Sequence, residues 1–451
     1  MHSEGQTSKN ITMRAHLICS AVLILTTLTG ADSLPQFSGW AWFTMGRVEH
    51  TFTDMDDVNF DKEWLVDFQA GLKMEKRFEF AKARLHFGLT TAYQVIDDTK
   101  QDVTFLQRRF APYLIDAAIE NTFHINDNHS LLAEAGYLPV KYNPQARNLG
   151  EYLFRSGTYP PYTTSGFELA DKEKLTGIHL SYTYKPSSNW IRGELFFNNE
   201  MRIYPVHTFS LSYILTANLK GFLEAGAGIC HAHLIAPDEQ KITPGLDTLN
   251  FHPMYPKFRN AGLIDTAGNI AALYTFRGTK AMGRVTIDPK KLFSSETFGK
   301  EDLKIYAEAA VLGLKDYSGW YEDIKERIPV MVGFNLPTFK LLDVLALEAQ
   351  YYDSPYWNTP ENVWKQRSPV PYHGAPISNL ELFEPVTDHK LKWSIYASRT
   401  LMKRIRFSGQ LASDNILRTS YLPPPPTPSK HTEICPRTKD WYWMSRLTLL
   451  F

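Results

Sequence analysis

No stretch of this 451-residue chain reaches the roughly 18 to 20 consecutive apolar residues that a membrane-spanning helix needs. Insertion as a helix is therefore excluded. Charge of one sign is not in excess either, since 48 basic side chains stand against 48 acidic ones. That balance leaves no electrostatic footprint for nucleic acid or an anionic surface. Cysteine is scarce. Of the three, Cys19 comes too early in the N-terminal apolar run for a lipidated cysteine and lacks the small residues expected before one. Cys230 and Cys435 remain, and in an oxidising envelope they are either a bonded pair or two unpaired small residues. Catalytic motifs are missing as well: there is no G-x-S-x-G, no H-E-x-x-H and no phosphate-binding glycine loop. No enzyme and no cofactor are expected. His231 and His233, two apart on one strand face, have no nearby third ligand, so no metal is expected.

Aromatic residues, by contrast, are plentiful. The 23 Tyr, 27 Phe and 10 Trp make up 13% of the chain, which favours strands and membrane interfaces over a helical fold. The chain opens on a polar stretch from Met1 to Thr12. Met13-Arg14-Ala15-His16 then leads into the apolar run Leu17 to Leu28, closed by Thr29-Gly30-Ala31. A basic start, a short apolar core and small residues at the end make a secretory signal over 1–31, cleaved after Ala31, with Met13 as the alternative start. A buried N-terminal helix is disfavoured, because Thr26, Thr27 and Gly30 weaken it and no amphipathic stripe is visible.

From Gly39 onward, segments of about ten residues alternate with a period of two. In 64–74, Trp64, Val66, Phe68, Ala70 and Leu72 oppose Asp67, Gln69, Gly71 and Lys73. In 82–94, Ala83, Leu85, Phe87, Leu89 and Tyr93 oppose Lys82, Arg84, His86, Gly88 and Gln94. This pattern predicts sixteen strands: 39–52, 63–76, 80–95, 112–125, 129–138, 175–184, 189–198, 206–216, 220–234, 269–287, 302–313, 327–337, 343–353, 389–400, 405–414 and 439–451. Even-numbered strands lead into short connections, except at Asp288 to Glu301, and odd-numbered ones into longer stretches such as 139–174, 235–268, 354–388 and 415–438. Two soluble sandwich domains would show turns less systematically short then long.

The last strand carries the first resemblance. Trp441, Trp443, Ser445, Leu447, Leu449 and Phe451 make one mostly apolar face, and the chain stops on an aromatic. It resembles the closing strand of Gram-negative outer-membrane β-barrels, whose C-terminal Phe is recognised by the barrel-insertion machinery. The resemblance implies that Trp441, Trp443 and Phe451 form such a signal. The expected fold is all-β: a transmembrane, antiparallel, up-and-down barrel of about sixteen strands over 32–451, with short periplasmic turns and long extracellular loops. Closure follows because lipid cannot satisfy an unpaired strand edge. Trp40 and Trp42 are then expected beside Trp441 and Trp443 in one aromatic girdle.

A barrel of that width is too wide for side chains to fill, so a watery lumen is expected. Strand parity points Asp67, Lys73, Lys82, Arg84, Asp116, Glu120, Glu134, Arg192, Glu194 and Glu224 inward, with Lys280, Arg284, Lys304, Glu308, Glu348, Lys392 and Arg406, and also Arg47 and Glu49. Arg84, Glu134, Arg192, Glu194, Arg284, Glu308 and Arg406 stand as the lumen-wall candidates. Both signs occur, so no ion preference follows. In strand count and in the place of the loop 139–174 the chain is similar to the general, trimeric porins, whose third outside loop folds into the barrel and narrows it. In Arg147-Asn-Leu-Gly-Glu151-Tyr152-Leu-Phe-Arg155 the charges recur every four residues, so on a short helix they would share a face. Arg147, Glu151 and Arg155, with Tyr152, Tyr159 and Tyr162 beside them, are the expected constriction; an ordinary surface loop is the alternative. Pro423 to Pro426 with Pro428 stiffen the last outside loop. The implied function is passive diffusion of small hydrophilic solutes across the outer membrane. The resemblance also implies contact with outer-membrane lipid and with the assembly machinery, and a homotrimer. The competing class is an adhesion or polysaccharide-binding protein that uses the barrel as an anchor.

Overall fold

The computed structural model describes residues 34–51, 61–92, 109–158, 162–166, 174–199, 208–235, 276–292, 296–315, 321, 323–358, 388–420 and 430–451. The expected signal over 1–31 lies outside them. Nine strands make the first half of the wall: β1 (Gln36–His50), β2 (Trp64–Arg77), β3 (Lys82–Ala92), β4 (Arg109–Asn126), β5 (His129–Pro139), β6 (Lys174–Tyr184), β7 (Trp190–Asn199), β8 (Phe209–Leu219) and β9 (Leu223–Ile235). Six more follow: β10 (Gly278–Ile287), β11 (Ile305–Val311), β12 (Val330–Asn335), β13 (Val344–Tyr351), β14 (Leu391–Leu401) and β15 (Ile405–Ser413). A short hairpin, β16 (Leu417–Ser420) and β17 (Lys430–Glu433), precedes the last strand, β18 (Trp441–Leu450).

Each wall strand pairs antiparallel with its chain neighbours, and β18 returns to β1, in register from Trp40↔Leu450 to His50↔Trp441. The result is a closed barrel of sixteen strands, with β16 and β17 forming a separate two-stranded sheet. Every expected strand has its counterpart. The tenth, expected over 269–287, is found at Gly278–Ile287, and 269–275 lie outside the described residues. The hairpin β16–β17 was not expected; it is only four residues a side, too short to show a period.

The period of two becomes an inside and an outside. Along β13, Val344, Ala346, Glu348 and Gln350 are buried while Leu347 and Tyr351 are exposed. Phe43, Phe68, Leu72, Ile119, Leu180, Leu215, Val332, Phe407 and Leu449 are likewise exposed, so large apolar side chains encircle the barrel. At roughly 25 cal/mol per Å² of apolar surface, such a band in water is a large penalty, and it suits an apolar solvent instead.

The aromatic girdle does not form as expected. Because β1 and β18 run antiparallel, Trp40 pairs with Leu450 and Trp441 with His50, at opposite ends of the pair. Trp40 and Trp42 face inward with Thr44, whereas Trp443 faces outward against Trp64, with ring centroids 6.0 Å apart. Arg47 and Glu49 also face out: Glu49 accepts from the Trp443 indole at 3.0 Å and Arg47 lies over the Trp64 ring. Strand parity predicts both inside.

One end of the barrel has short turns. Its exception is the connection 288–304, and Asp302 ties that segment down. The carboxylate accepts from Gly299 N at 2.8 Å, the Thr338 hydroxyl at 2.9 Å and Phe339 N at 3.0 Å, clasping the β12–β13 turn. Burial works to raise its pKa, but these hydrogen bonds outweigh burial and hold it below the usual aspartate value. A lowered acid contributes stability that is complete above its unfolded pKa and is lost as pH falls through the folded one. Protection of the Gly299 and Phe339 amides against hydrogen exchange is therefore expected to hold at neutral pH and to collapse in acid. In Asp302→Asn that pH dependence should vanish, and a wild-type profile that stays flat into acid would refute the clasp.

Candidate functional site

The connection from β5 to β6 does not stay at the rim. Gly150 (φ +96°) and Glu151 (φ 60°) turn the chain in the left-handed region, and a Cβ on Gly150 would come within 2.7 Å of Met331, so only glycine lets the backbone approach the wall this closely. A single helical turn, α1 (Tyr152–Arg155), follows. Leu149, Leu153 and Phe154 then bury against inward residues of the far wall, among them Phe196, Ile214, Met282 and Met331. A contiguous apolar cluster inside the barrel holds the segment in place.

Polar side chains of the wall clamp the same segment. Glu308 on β11 accepts from the Tyr142 hydroxyl at 2.6 Å, Asn143 Nδ2 at 2.8 Å and Tyr152 N at 2.9 Å. Glu348 on β13 accepts from the backbone amides of Arg147, Asn148 and Leu149 and from the Tyr306 hydroxyl at 2.8 Å. Lys280 on β10 donates to the carbonyls of Leu153 and Ser156. These groups satisfy backbone that would otherwise be buried without partners.

A second segment also turns inward, between β15 and β18. Ile416, Ile434 and Cys435 pack with Val48, Ala346, Tyr396, Ala412 and Tyr442. Lys392 on β14 reaches Glu433 at 3.1 Å and the carbonyls of Cys435 and Pro436. The two segments meet: Asp414 accepts from Asn148 Nδ2 and from the Tyr442 hydroxyl, and Asn415 Nδ2 donates to Thr163 Oγ1 at 2.8 Å. Asn148 and Asp414 have no neighbouring pattern that a sequence reading could have used, and Lys280, Glu348 and Lys392 read only as inward strand charges.

The expected trio is distributed differently from a shared helical face. Gly150 and Glu151 interrupt the backbone, so α1 starts after Glu151 and excludes Arg147. Glu151 is 1% exposed and turns back to accept from the amides of Tyr142 and Asn143. Arg155 is buried and donates to Ser165 O at 3.2 Å. Tyr152 is buried too, its hydroxyl donating to Gln350 Oε1 at 2.9 Å. Arg147 alone of the three is partly reached by solvent, paired with Glu301 at 3.2 Å. Tyr162 is buried, and Tyr159 lies outside the described residues.

The wall from β2 to β7 is different. Arg84 on β3 contacts Asp116 at 2.6 Å and also Glu120 and Glu134. Lys82 bridges Glu75 and Glu120, and Lys73 pairs with Glu75 at 2.8 Å. His179 lies 3.2 Å from both Glu134 and Glu194. One chain of charged groups thus crosses six adjacent strands. Solvent still reaches it, with 35% of the Lys73 side chain exposed, 29% of Lys82 and 23% of Glu120. Further round, Arg284 pairs with Glu224 at 2.7 Å, Arg192 donates to Thr183, and Arg406 donates to Thr400 near the short-turn end.

Cys230 and Cys435 are not joined in a disulfide; both are buried, in separate apolar clusters. An irregularity between β8 and β9 shifts the register beyond His231, so His231 and His233 do not share a face as expected. His231 approaches Thr279 and His233 approaches Thr208. Among the described residues, no group of three or more His, Cys, Asp or Glu is arranged to hold a metal.

No family model matches the chain, and no curated protein matches it in sequence. Solved structures do match. A double-mutant structure of Rh. blastica porin is 7% identical with a TM-score of 0.43, over 93% of this chain and 100% of that one. A multiple mutant of the same porin is 8% identical with a TM-score of 0.41 at the same coverage, and a triple mutant of Rhodopseudomonas blastica porin is 8% identical with a TM-score of 0.39. The barrel fold itself rests on the strand pairing of this chain.

Proposed function

We propose that the protein is a passive channel for small hydrophilic solutes in an outer membrane. The observation that supports this best is the asymmetry inside the barrel. Two inserted segments pack inside, one chiefly against β7 to β12 and the other against β1, β13 to β15 and β18, while charged groups on β2 to β4 keep contact with water. A hydrated, charged strip beside an apolar plug lowers the barrier to polar solutes without any chemistry, and the plug sets the size limit.

In this reading the described parts of 139–174 and of 414–440 narrow the lumen together. Arg147 faces the remaining passage, and Glu151, Tyr152 and Arg155 brace the segment from behind. The outward Trp441 and Trp443, and Phe451, whose backbone pairs with Gly39, serve as the assembly signal. The exposed apolar band meets the lipid.

Single-channel recording of the refolded chain 32–451 in planar bilayers tests the proposal. Stable ohmic steps are expected. Silence from a barrel that still shifts its gel mobility on boiling would overturn it and favour an anchor for outside loops.

A further inference from the structure

A row of paired residues crosses the first four strands inside the barrel: Trp40 on β1, Gly71 on β2, Gly88 on β3 and Tyr113 on β4. Both glycines have an aromatic ring above them. A Cβ on Gly71 would lie 2.6 Å from the Trp40 indole, and one on Gly88 would lie 2.4 Å from the Tyr113 ring. The glycines thus let rings from the two flanking strands lie over the middle of the row. Trp42 backs one face of Trp40, stacked on it at 3.7 Å with an interplanar angle of 10°, and Arg446 lies over the Trp42 ring at 4.2 Å.

Polar groups fix the rim of this surface. Trp40 Nε1 donates to His86 Nε2 at 3.0 Å, and the Tyr113 hydroxyl donates to Gln69. Asp67 accepts from Trp42, from Gln69 at 2.8 Å and from the Thr90 hydroxyl at 3.2 Å. Trp40, Trp42 and Tyr113 are only half-buried. The clamps that hold the two inserted segments come from other strands, β10, β11, β13 and β14. Half-exposed indoles in a polar lumen leave apolar area in water at a cost. They are amphipathic surfaces suited to a ligand with an apolar face and polar edges.

We infer that this strip is a binding subsite for a neutral pyranoside. The ring's C–H face lies against Trp40 and Tyr113, and its hydroxyls exchange hydrogen bonds with Asp67, Gln69 and His86. The strip makes solute passage selective, and to that extent the inference rests on the channel reading. Binding itself can be measured without conduction.

Maltotriose is the probe, and sorbitol, which has many hydroxyls but no ring, is the comparator. Saturation-transfer NMR on the detergent-held barrel and current block in planar bilayers are the two readouts. Maltotriose is expected to bind and to block at millimolar concentration, and sorbitol to do neither. Trp40→Ala should weaken maltotriose about tenfold, the scale of one lost aromatic contact. Gly88→Ala, which drives the Tyr113 ring from its place, should weaken it as well. Trp64→Ala removes an outward indole and should leave binding unchanged. If Trp40→Ala fails to fold, Gly88→Ala and the wild-type comparison with sorbitol decide. Ion conduction without maltotriose binding or block would overturn the subsite and leave the channel standing. Maltotriose binding in detergent with silent bilayers would support the subsite and overturn the channel. Equal saturation transfer from sorbitol, or unchanged affinity in a folded Trp40→Ala, would also overturn it.

Discussion

Replacing Glu348 with alanine should release the segment 140–166 from the wall and raise single-channel conductance severalfold. The carboxylate satisfies three consecutive backbone amides, Arg147 to Leu149, and the Tyr306 hydroxyl. Glu348 is 4% exposed, so water cannot easily take its place. Each buried donor left unmatched costs on the order of 1–3 kcal/mol, and the four together come to roughly 4–12 kcal/mol. The apolar contacts of Leu149, Leu153 and Phe154 hold the segment against that loss, but they depend on the turn that Glu348 fixes. Glu348→Gln keeps one acceptor oxygen and should give an intermediate conductance. The released segment should also become open to added protease while the barrel keeps its heat-shifted gel mobility. A Glu348→Ala barrel with wild-type steps and a protected segment would show that the clamp is dispensable.

Arg84→Ala is expected to have the second large effect, on both stability and ion preference. Arg84 holds Asp116, Glu120 and Glu134 together. Asp116 and Glu134 have only 7% and 10% of their side chains exposed, so losing their shared cation leaves carboxylates facing each other with little solvent to screen them. Breaking such a cluster from one side costs about 3–5 kcal/mol. The denaturation midpoint in urea should fall accordingly. If the barrel still closes, the reversal potential in a salt gradient should move towards strong cation preference, since three acidic groups line the passage with their central cation gone. Arg84→Lys should restore the charge but only part of the stability, because an ammonium cannot fork to three carboxylates as a guanidinium does. An unchanged reversal potential would mean that ions do not pass this wall.

Sequence made the wall legible because a strand's period of two repeats sixteen times, and each repetition checks the others. The alternation of short and long connections fixed which end was which. Parity failed for Arg47 and Glu49, and, beyond a register shift between β8 and β9, for His231 and His233. The inside of the barrel was much less readable. The four-residue spacing of Arg147, Glu151 and Arg155 looked like a helix face, but Gly150 and a left-handed Glu151 broke it, and only tertiary contact with Met331 and Glu308 explains why that break is favourable. Glu348 and Lys280 looked like any solvated wall charge. Their partners are backbone groups of a distant segment, and a backbone amide has no letter in the sequence. The hairpin β16–β17 is too short to show a period, and the residues flanking it, Ile416, Ile434 and Cys435, are seated by β1, β13, β14 and β18, spread across the whole chain.

The clamps also impose an order of events on the chain's own construction. Arg147 and Glu348 are 201 positions apart, and Asn148 and Asp414 are 266 apart. Seating the segment 140–166 on its receptors on β10, β11 and β13 needs contacts of long sequence separation, which form slowly. The second insertion has the opposite schedule. It precedes β18 directly, and its seat on β13 to β15 is close in sequence, with β18 completing it. The strand that seals the wall is therefore the one that follows the last piece of cargo, and a mutation that delays the seating of 414–440 should register first as a kinetic fault in sealing rather than as a change in the finished passage.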